Sequence, residues 1–288
     1  MSLSIGELIL EAAQILRQAG VPEPRREAAS LMEFVIQSDR TFLLSHPEHL
    51  LTAMQEDHFR RSVSRRADRE PLQYITGQQD FFGLDFEVTK DVLIPRPETE
   101  LLVETALKLL DAAKAPLICD IGTGSGCIAV ALVREMPRAS AIGIDLSEAA
   151  LKVAQRNATR HSVAQRTAFL IADCFSALKP GQIRFDLIVS NPPYVAGSAW
   201  EGLQREVRDH EPRLALVSGS DGLVMIRRLL TESAAFLKLG GQLLIEIGFD
   251  QSAAVERLIN QSLWRLLDIH QDLQRIPRIV ALEKITPR

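Results

Sequence analysis

Apolar residues in the first part of the chain recur at a helical spacing. Between residues 5 and 16 they return every three or four positions, and the pattern stops at a glycine that two prolines follow. The pattern predicts further helices over residues 25–36 and about 51–69, the latter with Thr52 as its N-cap. We therefore expect a small all-helical N-terminal domain over residues 1–71.

A different pattern follows the helical region. Aromatic and apolar residues flank Gly83 in the run QQDFFGLDFEV, which is typical of a short β-hairpin over residues 79–88. The next segment, LIPRPETE, holds Pro95 and Pro97, which cannot continue a strand ladder or a helix interior. We interpret residues 72–96 as a hairpin and a rigid proline-rich connector, with a helix beginning at about Pro97.

After residue 115, short apolar runs alternate with helical patterns. The predicted strands cover residues 116–122, 140–146, 168–173, 185–194 and 241–248, and the predicted helices cover 126–136, 148–161, 222–238 and 250–262. Such alternation indicates parallel strands joined by crossover helices. Two further predicted strands, near residues 264–270 and 278–284, have no helix between them and could pair antiparallel. Residues 97–288 are therefore expected to form an α/β domain with a seven-stranded sheet.

Composition narrows the class of protein. The 288 residues are 46% hydrophobic and 24% charged, as in ordinary globular chains. A net charge of -4 provides no overall positive field for a nucleic acid. Three cysteines without C-x-x-C spacing indicate a reduced compartment, and the uncharged runs are too short to span a membrane. We expect a cytoplasmic protein with no membrane partner and no stable nucleic-acid partner.

The first strand of the predicted sheet runs directly into Gly122-Thr123-Gly124-Ser125-Gly126, and a helix follows at once. Glycines let the backbone turn sharply and approach a ligand, and the helix start presents unpaired N–H groups. Asp145 ends the second strand, where a carboxylate can accept both hydroxyl groups of a ribose. The spacing predicts a site for a nucleoside cofactor.

The glycine pattern also discriminates between cofactors. A dinucleotide fingerprint needs a third glycine at the position of Cys127, whereas the order here is G-x-G-x-G with Asp120 before it. This order resembles motif I of S-adenosylmethionine-dependent methyltransferases, and an acid beside the loop suits a cationic amino-acid ligand better than a pyrophosphate. A dinucleotide site and a turn without any ligand remain the alternatives.

The fourth strand ends in Asn191-Pro192-Pro193-Tyr194, the most specific signal in the chain. The motif resembles that of methyltransferases acting on planar nitrogen, whose delocalised lone pair makes it a poor nucleophile. The side-chain oxygen of Asn191 and the carbonyl of Pro192 can each accept one N–H of a target NH₂ group, and Tyr194 can stack on it. Positioning and electrostatics then replace a strong base. The alternative is an ordinary proline-rich turn.

Four segments carry a closer resemblance, which covers essentially the whole chain. They are residues 69–104, DIGTGSG (120–126), SNPPY (190–194) and EPRLALVSGSDGL (211–223). Together they resemble the release-factor glutamine methyltransferase family, PrmC/HemK. The resemblance implies a Rossmann-like methyltransferase fold whose N-terminal domain recognises the substrate. It also implies methyl transfer to the side-chain amide of the Gly-Gly-Gln glutamine in class 1 peptide chain release factors, with S-adenosylhomocysteine as product.

The resemblance also assigns residues to the site. Gly122 to Gly126 would hold the methionine part of S-adenosylmethionine, Asp145 the ribose, and Asp173 and Cys174 would lie beside the adenine. Cys174 stands where many members have an aromatic residue, and the neighbouring Phe175 could supply some stacking. Asn191 would contact both cofactor and substrate, and the other residues of the motif, Pro192, Pro193 and Tyr194, would contact the substrate. Residues 94–97 should lie over the site.

Several charged residues have open roles in this interpretation. Five arginines crowd one predicted helix: Arg60, Arg61, Arg65, Arg66 and Arg69. Residues 1–71 nevertheless hold 9 Arg and no Lys against 11 acids, so a solvated helix face is favoured over docking of an acidic release factor or ribosomal RNA. Arg96 either lines the site or is structural. Glu211 and Glu246 are interpreted as loop or supporting carboxylates, and the scattered histidines predict no metal site.

Two other functions remain open from the sequence alone. One is methylation of an exocyclic amino group, N6 of adenine or N2 of guanine, in DNA or RNA, which could use the same Asn-Pro-Pro-Tyr motif. Only 94 residues follow Tyr194, and the predicted strands and helices consume them, which leaves no separate domain there for recognising a base. The other is a non-catalytic, cofactor-binding translation factor. Intact Asn191 and Tyr194 argue against that function.

Overall fold

The computed structural model describes residues 3–111 and 114–285. They form two compact units. The first comprises the residues up to Gln78 together with Gln204–His210, and the second comprises Gln79–Leu203 and the residues from Glu211 onward.

The helices and strands of the described residues are as follows. The helices are α1 (Ile5–Gln18), α2 (Pro24–Ile36), α3 (Arg40–Ser45), α4 (Ala53–Ala67), α5 (Leu72–Thr76), α6 (Glu100–Leu109), α7 (Cys127–Glu135), α8 (Glu148–Arg160), α9 (Arg205–His210), α10 (Val224–Glu232) and α11 (Ser252–Leu258). The strands are β1 (Gln78–Phe81), β2 (Leu84–Glu87), β3 (Leu117–Ile121), β4 (Ser140–Asp145), β5 (Thr167–Ile171), β6 (Phe185–Ser190), β7 (Leu237–Glu246), β8 (Trp264–Gln271) and β9 (Pro277–Lys284).

The first unit is helical, as the apolar spacing predicts. Ser4 with Glu7 and Thr52 with Gln55 form capping boxes at the starts of α1 and α4, so these two helices begin where their side chains satisfy free N–H groups. The apolar faces of α1, α2 and α4 enclose one core, with its largest buried side chains at Ile5, Leu8, Leu16, Leu31, Met32 and Phe59. The short α3 and α5 lack a long enough apolar repeat for a prediction.

The hairpin forms around a two-residue turn, Phe82 and Gly83, both with positive φ (54° and 67°). A right-handed hairpin twist favours such turns. The turn is anchored because the N–H of Phe82 donates to Glu100 Oε1 at 2.9 Å. On either side of it, Phe81 and Phe86 are fully buried and meet edge to face with ring centroids 6.0 Å apart.

The second unit contains the predicted seven-stranded sheet, in the order β5-β4-β3-β6-β7-β9-β8. The pairs among β5, β4, β3, β6 and β7 are parallel, whereas β9 is antiparallel to both β7 and β8. Neighbouring residues of one strand enter different cores: Ile118 packs with α6 and α7, and Cys119 packs with α10 and α11. Helices therefore cover both faces, which explains the continuous apolar runs of the central strands.

Several predicted boundaries differ from the structure. The helix predicted over residues 250–262 is shorter, Ser252–Leu258. Strand β6 stops at Ser190 rather than at residue 194, because the two prolines that follow cannot donate to a ladder. Strand β7 begins at Leu237, which pairs with Phe185 before the register shifts, so the preceding helix is shorter than predicted. The helix expected at Pro97 starts as a 3-10 turn over Pro97–Thr99 and becomes α6 at Glu100.

Helix α9 belongs to the first unit, although the residues on both sides of it belong to the second. Its Glu206 carboxylate accepts hydrogen bonds from the guanidinium groups of Arg66 at 3.3 Å and Arg69 at 2.8 Å. The partners lie about 140 residues apart in the chain, so no local pattern could indicate the pairing.

Two remaining expectations concern the cysteines and membrane-spanning segments. All three cysteines are free and buried. Within residues 3–111 and 114–285, no helix combines the length and apolar character needed to cross a membrane.

Candidate active site

A cavity of about 380 Å³ opens at the carboxyl ends of the parallel strands in the second unit. Open α/β sheets bind their ligands at this edge, and the size suits a small organic molecule. Of the residues assigned to the site from the sequence, the cavity is lined by Gly122, Gly124, Asp145, Asp173, Cys174, Asn191 and Pro193. Four strand ends, those of β3, β4, β5 and β6, therefore bring the predicted residues together.

The loop after β3 places two glycines on the cavity. Gly122 and Gly124 have φ of +73° and +54°, which disfavours any other residue, and a Cβ on either would meet no protein atom within 4 Å. The loop is held to the end of β4, because the N–H of Gly122 donates to the Ile144 carbonyl at 2.8 Å and that of Gly124 donates to Asp145 Oδ2 at 2.9 Å. The backbone itself thus forms one wall of the cavity.

The other three loop residues support the loop from behind. Thr123 is buried and its hydroxyl donates to Asp120 Oδ2 at 2.6 Å. The carbonyl of Ser125 accepts a hydrogen bond from Asn157 Nδ2 at 2.9 Å. Gly126 packs so closely on α8 that an added Cβ would lie 3.0 Å from a side-chain carbon there. These residues shape the loop and do not line the cavity.

Asp120 is fully buried beneath the loop. Burial raises the pKa of its carboxyl to about 7, against the opposing hydrogen bond from Thr123. Among the residues that the structure describes, its Oδ1 has no hydrogen-bond partner. An acid with one free oxygen at this position is an unsatisfied acceptor next to the glycine loop.

The charged residues on the cavity give it a negative balance. They are Lys90, Asp91, Asp145 and Asp173. Both oxygens of the Asp145 carboxylate already accept backbone N–H groups, those of Gly124 and Ser147, which fixes its orientation. Asp173 is paired with Arg228 at 2.7 Å, so Asp91 and Asp145 against Lys90 leave a balance of one negative charge, which attracts a cation more readily than a pyrophosphate.

The region after β5 differs from the aromatic arrangement typical of the family. Cys174 lines the cavity in a left-handed conformation (φ 54°), and burial raises the pKa of its thiol to about 12, so the thiol is neutral. Phe175 does not help there, because its ring stacks on Phe236 at 4.6 Å inside the core. The apolar surface comes instead from Leu146, Leu214 and Met225, which the sequence did not indicate.

The Asn-Pro-Pro-Tyr motif follows β6, and of its four residues Asn191 and Pro193 line the cavity, whereas Pro192 and Tyr194 do not. Asn191 Nδ2 donates to the Thr99 hydroxyl at 3.0 Å, so the side-chain oxygen of Asn191 is the end left for a ligand. Pro192 is buried, and Pro193 lines the cavity. Burial raises the pKa of Tyr194 to about 12, so its phenol stays neutral. Its backbone carbonyl accepts a hydrogen bond from Gln251 Nε2 at 3.0 Å.

Arg96 and Glu211 join two of the segments that carry the family resemblance. The Glu211 carboxylate accepts hydrogen bonds from the Arg96 guanidinium and, at 3.2 Å, from the N–H of Ile94. Residues 94–97 do not line the cavity, whereas Lys90, Asp91, Val92 and Leu93 just before them do. Residues 90–93 directly precede the proline-containing residues 94–97, and this position is the one sequence signal that could have placed them on the cavity.

The arginine cluster of the first unit is neutralised within that unit. Each of the five arginines forms an ion pair: Arg60 with Glu11 and Glu56, Arg61 with Asp57, Arg65 with Glu70, Arg66 with Glu27 and Glu206, and Arg69 with Glu206. Arginines engaged in this way offer little charge to a phosphate backbone. Across the described part of the chain, no group of three or more His, Cys, Asp or Glu residues could hold a metal ion.

Solved structures share this fold at low sequence identity. A methyltransferase from Pyrococcus furiosus superposes with a TM-score of 0.53 at 16% identity, covering 72% of this chain and 91% of that one. The hMettl16 catalytic domain, solved with an RNA hairpin, gives 0.57 at 13% identity, covering 88% and 90%. The predicted methyltransferase fold class is thereby confirmed, and such identities show the fold alone.

Sequence comparisons identify the family. The model of the PrmC N-terminal domain matches residues 7–77, and that of the methyltransferase small domain matches residues 97–210. The release factor glutamine methyltransferase of Koribacter versatilis is 41% identical over 275 residues, covering 96% of both chains. That of Geobacter sulfurreducens is 43% identical over 266 residues, covering 92% of both. The resemblance drawn from the motifs is confirmed, and the chain belongs to the release factor glutamine methyltransferase family of enzymes.

Proposed function

We propose that this enzyme transfers a methyl group from S-adenosylmethionine to the side-chain amide nitrogen of the glutamine in the Gly-Gly-Gln motif of class 1 peptide chain release factors. Family membership supports the reaction. The observation that carries the proposal is the position of Asn191, which lines a cavity that the glycine loop also lines, with its amide nitrogen already bound to Thr99. Its free oxygen suits a substrate group that offers only N–H donors.

The residues on the cavity fit S-adenosylmethionine. Gly122 and Gly124 leave open space where a side chain would stand, and the surplus of acids suits a cationic ligand. We assign the methionine part to the glycine loop, the ribose to Asp145, and the adenine to the region of Asp173 and Cys174. When bound, the cofactor supplies a methyl group made electrophilic by its sulfonium centre, and S-adenosylhomocysteine is the product.

The chemistry asked of the chain is orientation of a weak nucleophile. An amide nitrogen shares its lone pair with the carbonyl, so it attacks only when it is held at the right distance and shifted from planarity. Asn191 Oδ1 and the Pro192 carbonyl each accept one N–H of the target, and Pro192 has a fixed φ that keeps its carbonyl in place. Neutral Tyr194 offers its ring as a flat surface. Pre-positioned acceptors of this kind lower the barrier without a strong base. As the N–CH₃ bond forms and the S–CH₃ bond breaks, the nitrogen becomes acidic and its extra proton passes to solvent.

The remaining assignments belong to the same proposal. We assign recognition of the release factor to residues 1–71, the connection to residues 72–96, and catalysis to residues 97–288. With such a substrate, we expect the protein to act in the cytoplasm, where translation ends. Methylation of adenine or guanine is less favoured, because the relatives are named for release factors and the arginine cluster is neutralised by acids of its own unit.

Transfer of an isotope-labelled methyl group tests the proposal directly. Purified release factor, DNA and tRNA are incubated separately with the enzyme and labelled S-adenosylmethionine, and the labelled residue is located by mass spectrometry. We expect label on the Gly-Gly-Gln glutamine alone. A release factor with that glutamine changed to alanine is the matched control. Label confined to nucleic acid, or no label on any substrate, contradicts the proposal.

The Asn191→Ala variant tests the assigned role of the motif. It removes the acceptor for the target N–H, so transfer should fall to background, while cofactor affinity should stay within about tenfold because the other cavity residues are unchanged. Calorimetric titration with the cofactor measures the second quantity. Retained turnover would contradict the role of Asn191.

A further inference from the structure

Asn191 is the last member of a chain of three hydrogen-bonded side chains. Its Nδ2 donates to Thr99 Oγ1 at 3.0 Å, and hydrogen bonding by the Thr99 hydroxyl lowers the pKa of the Glu246 carboxyl, against the rise caused by burial. Thr99 and Glu246 are both only 2% exposed. Strands β6 and β7 pair in parallel with Ser190 opposite Ile245, so Asn191 and Glu246 occupy the next positions along two neighbouring strands. Thr99 enters from the turn before α6.

The direction of these bonds follows from the number of protons available. A threonine hydroxyl carries one proton. Because Thr99 Oγ1 accepts from Asn191, its own proton is free to go to Glu246, and an ionised carboxylate can only accept it. The order is therefore amide to hydroxyl to carboxylate, and it leaves Asn191 with its oxygen as the free end.

We propose that Thr99 and Glu246 are positioning residues, which hold the Asn191 amide with its oxygen toward the glutamine NH₂ group. This inference rests on the proposed function, because only a substrate that donates N–H needs an acceptor there. The two ends of an amide have nearly the same shape, so packing alone does not select between them. The hydrogen-bond partner on the inner side does.

When Glu246 is protonated, the hydrogen bonds no longer determine which end of the Asn191 amide faces the substrate. The O–H of Glu246 can donate to Thr99, the hydroxyl can then donate to the oxygen of Asn191, and the Asn191 nitrogen faces the substrate. Two donor groups then meet, and the target nitrogen is no longer held. The reversed chain contains the same number of hydrogen bonds, so only the carboxylate charge excludes it.

The surroundings of Glu246 determine the pH at which its carboxyl becomes protonated. Burial raises the pKa of its carboxyl to about 7, and the Thr99 hydrogen bond opposes the rise. Within residues 3–111 and 114–285, Glu246 Oε2 has no hydrogen-bond partner. The charges of Arg278 and Arg96 lower the pKa of Glu246, and that of Glu98 raises it. The Glu246 charge in turn raises the pKa values of Tyr194 and Cys127. Above about pH 7 the carboxylate dominates and the productive order is enforced. Below it, the reversed order competes.

Removal of the hydroxyl is the first test. Thr99→Val has nearly the same volume and abolishes both bonds, so we expect kcat for release-factor methylation to fall on the order of 10- to 100-fold. The Kd for S-adenosylmethionine should change less than about threefold, and Thr99→Ser, which keeps the hydroxyl, should restore kcat to within about threefold of wild type. Thr105→Val is the matched control, a buried threonine six positions along the same segment.

The pH profile is the second test, and it remains decisive if Thr99→Val fails to fold. Asp120 also has a pKa of about 7, so the ratio of Glu246→Gln to wild-type kcat is measured between pH 6 and 8.5. We expect the ratio to be lowest at pH 8.5 and to rise about twofold toward pH 6, because only wild type loses its selecting charge and the two orders then contain the same number of hydrogen bonds.

These tests distinguish failure of the positioning role from failure of the proposed function. Wild type that does not methylate the release factor contradicts the proposed function itself. Wild type that is active, combined with unchanged kcat in Thr99→Val or a pH-independent ratio in Glu246→Gln, overturns the positioning role and leaves the proposed function standing. Equal losses in Thr105→Val and Thr99→Val also overturn it, because the effect would then come from loss of a buried threonine in general.

Discussion

A Cβ atom added to Gly222 would lie 2.2 Å from the carbonyl oxygen of Tyr194. That carbonyl belongs to the last residue of the Asn-Pro-Pro-Tyr motif, and it also accepts a hydrogen bond from Gln251 Nε2 at 3.0 Å. The next residue, Val195, donates its N–H to the Leu216 carbonyl at 2.8 Å. The motif is therefore fixed from the segment that contains Gly222, which explains why two distant stretches of sequence carry the family resemblance together.

Substitution of Gly222 tests this close approach. Gly222→Ala must move the Tyr194 carbonyl, so we expect methyl transfer to fall at least about tenfold and the free energy of unfolding to fall by roughly 2–4 kcal/mol, from backbone strain and overpacking together. Gly240→Ala is the matched control, since Gly240 has a similar φ of +73° and open space around it. It should lose only about 1 kcal/mol and keep its activity. Equal losses in both variants would argue that φ alone matters.

Loss of Arg96 and loss of Glu211 should lower the free energy of unfolding by different amounts. The Glu211 side chain is 1% exposed, whereas that of Arg96 is 31% exposed. Arg96→Met leaves a buried carboxylate without its cation, so we expect a loss of about 3 kcal/mol in urea unfolding. Glu211→Gln should cost less, because the arginine reaches water. Equal costs would contradict this account, and the double variant completes the cycle that measures the coupling.

Asp120 should make the stability of the protein depend on pH. Its pKa is raised from 3.8 to about 7 in the folded state, so the stabilising, protonated form is fully present below pH 3.8 and is lost as the pH rises through 7. Asp120→Asn lacks this loss. We expect the unfolding free energy of the variant, relative to wild type, to increase by about 4 kcal/mol between pH 4 and 8. Asp80→Asn, at an exposed position that does not line the cavity, is the control, and parallel curves for Asp120→Asn and wild type would refute the prediction.

Glu206 should hold α9 in the helical unit. Its side chain is 14% exposed and pairs with both Arg66 and Arg69. In Glu206→Ala we expect amide hydrogen exchange in residues 204–210 to accelerate at least about tenfold, because local opening loses its main electrostatic cost. Arg205→Ala is the control on the same helix, since Arg205 pairs with Asp209 at the surface. If both variants exchange alike, Glu206 does not anchor the helix.

Most of the fold could be predicted from the sequence because its signals are local. Helical spacing, strand-length apolar runs and the change of pattern at Gly83 each depend on neighbours within a few residues. The glycine loop and the Asn-Pro-Pro-Tyr motif could be predicted for the same reason, since both are contiguous and lie at strand ends. The order of the strands then brings them to one cavity.

The unpredicted parts depend on contacts between distant segments. From the sequence, Glu246 is interpreted only as a loop or supporting carboxylate, and Thr99 lies in a segment that carries the resemblance without a role of its own. Their relation to Asn191 arises only when β7 pairs with β6. Leu214 and Met225 also line the cavity, although they stand more than twenty positions after Asn191 in the chain. Phe175 shows the opposite case, because its position beside Cys174 suggested the cavity and the core holds it instead.

The placement of α9 has a consequence for how the protein can be dissected. The chain passes from one compact unit to the other three times, at residues 78/79, 203/204 and 210/211. A truncation at residue 78 would separate Glu206 from both of its arginine partners, so loss of activity in such a fragment would not measure the helical unit alone. A chimera that exchanges the helical unit between relatives must therefore exchange two stretches of sequence, and the shorter one is a seven-residue insert, Gln204–His210, downstream of the Asn-Pro-Pro-Tyr motif.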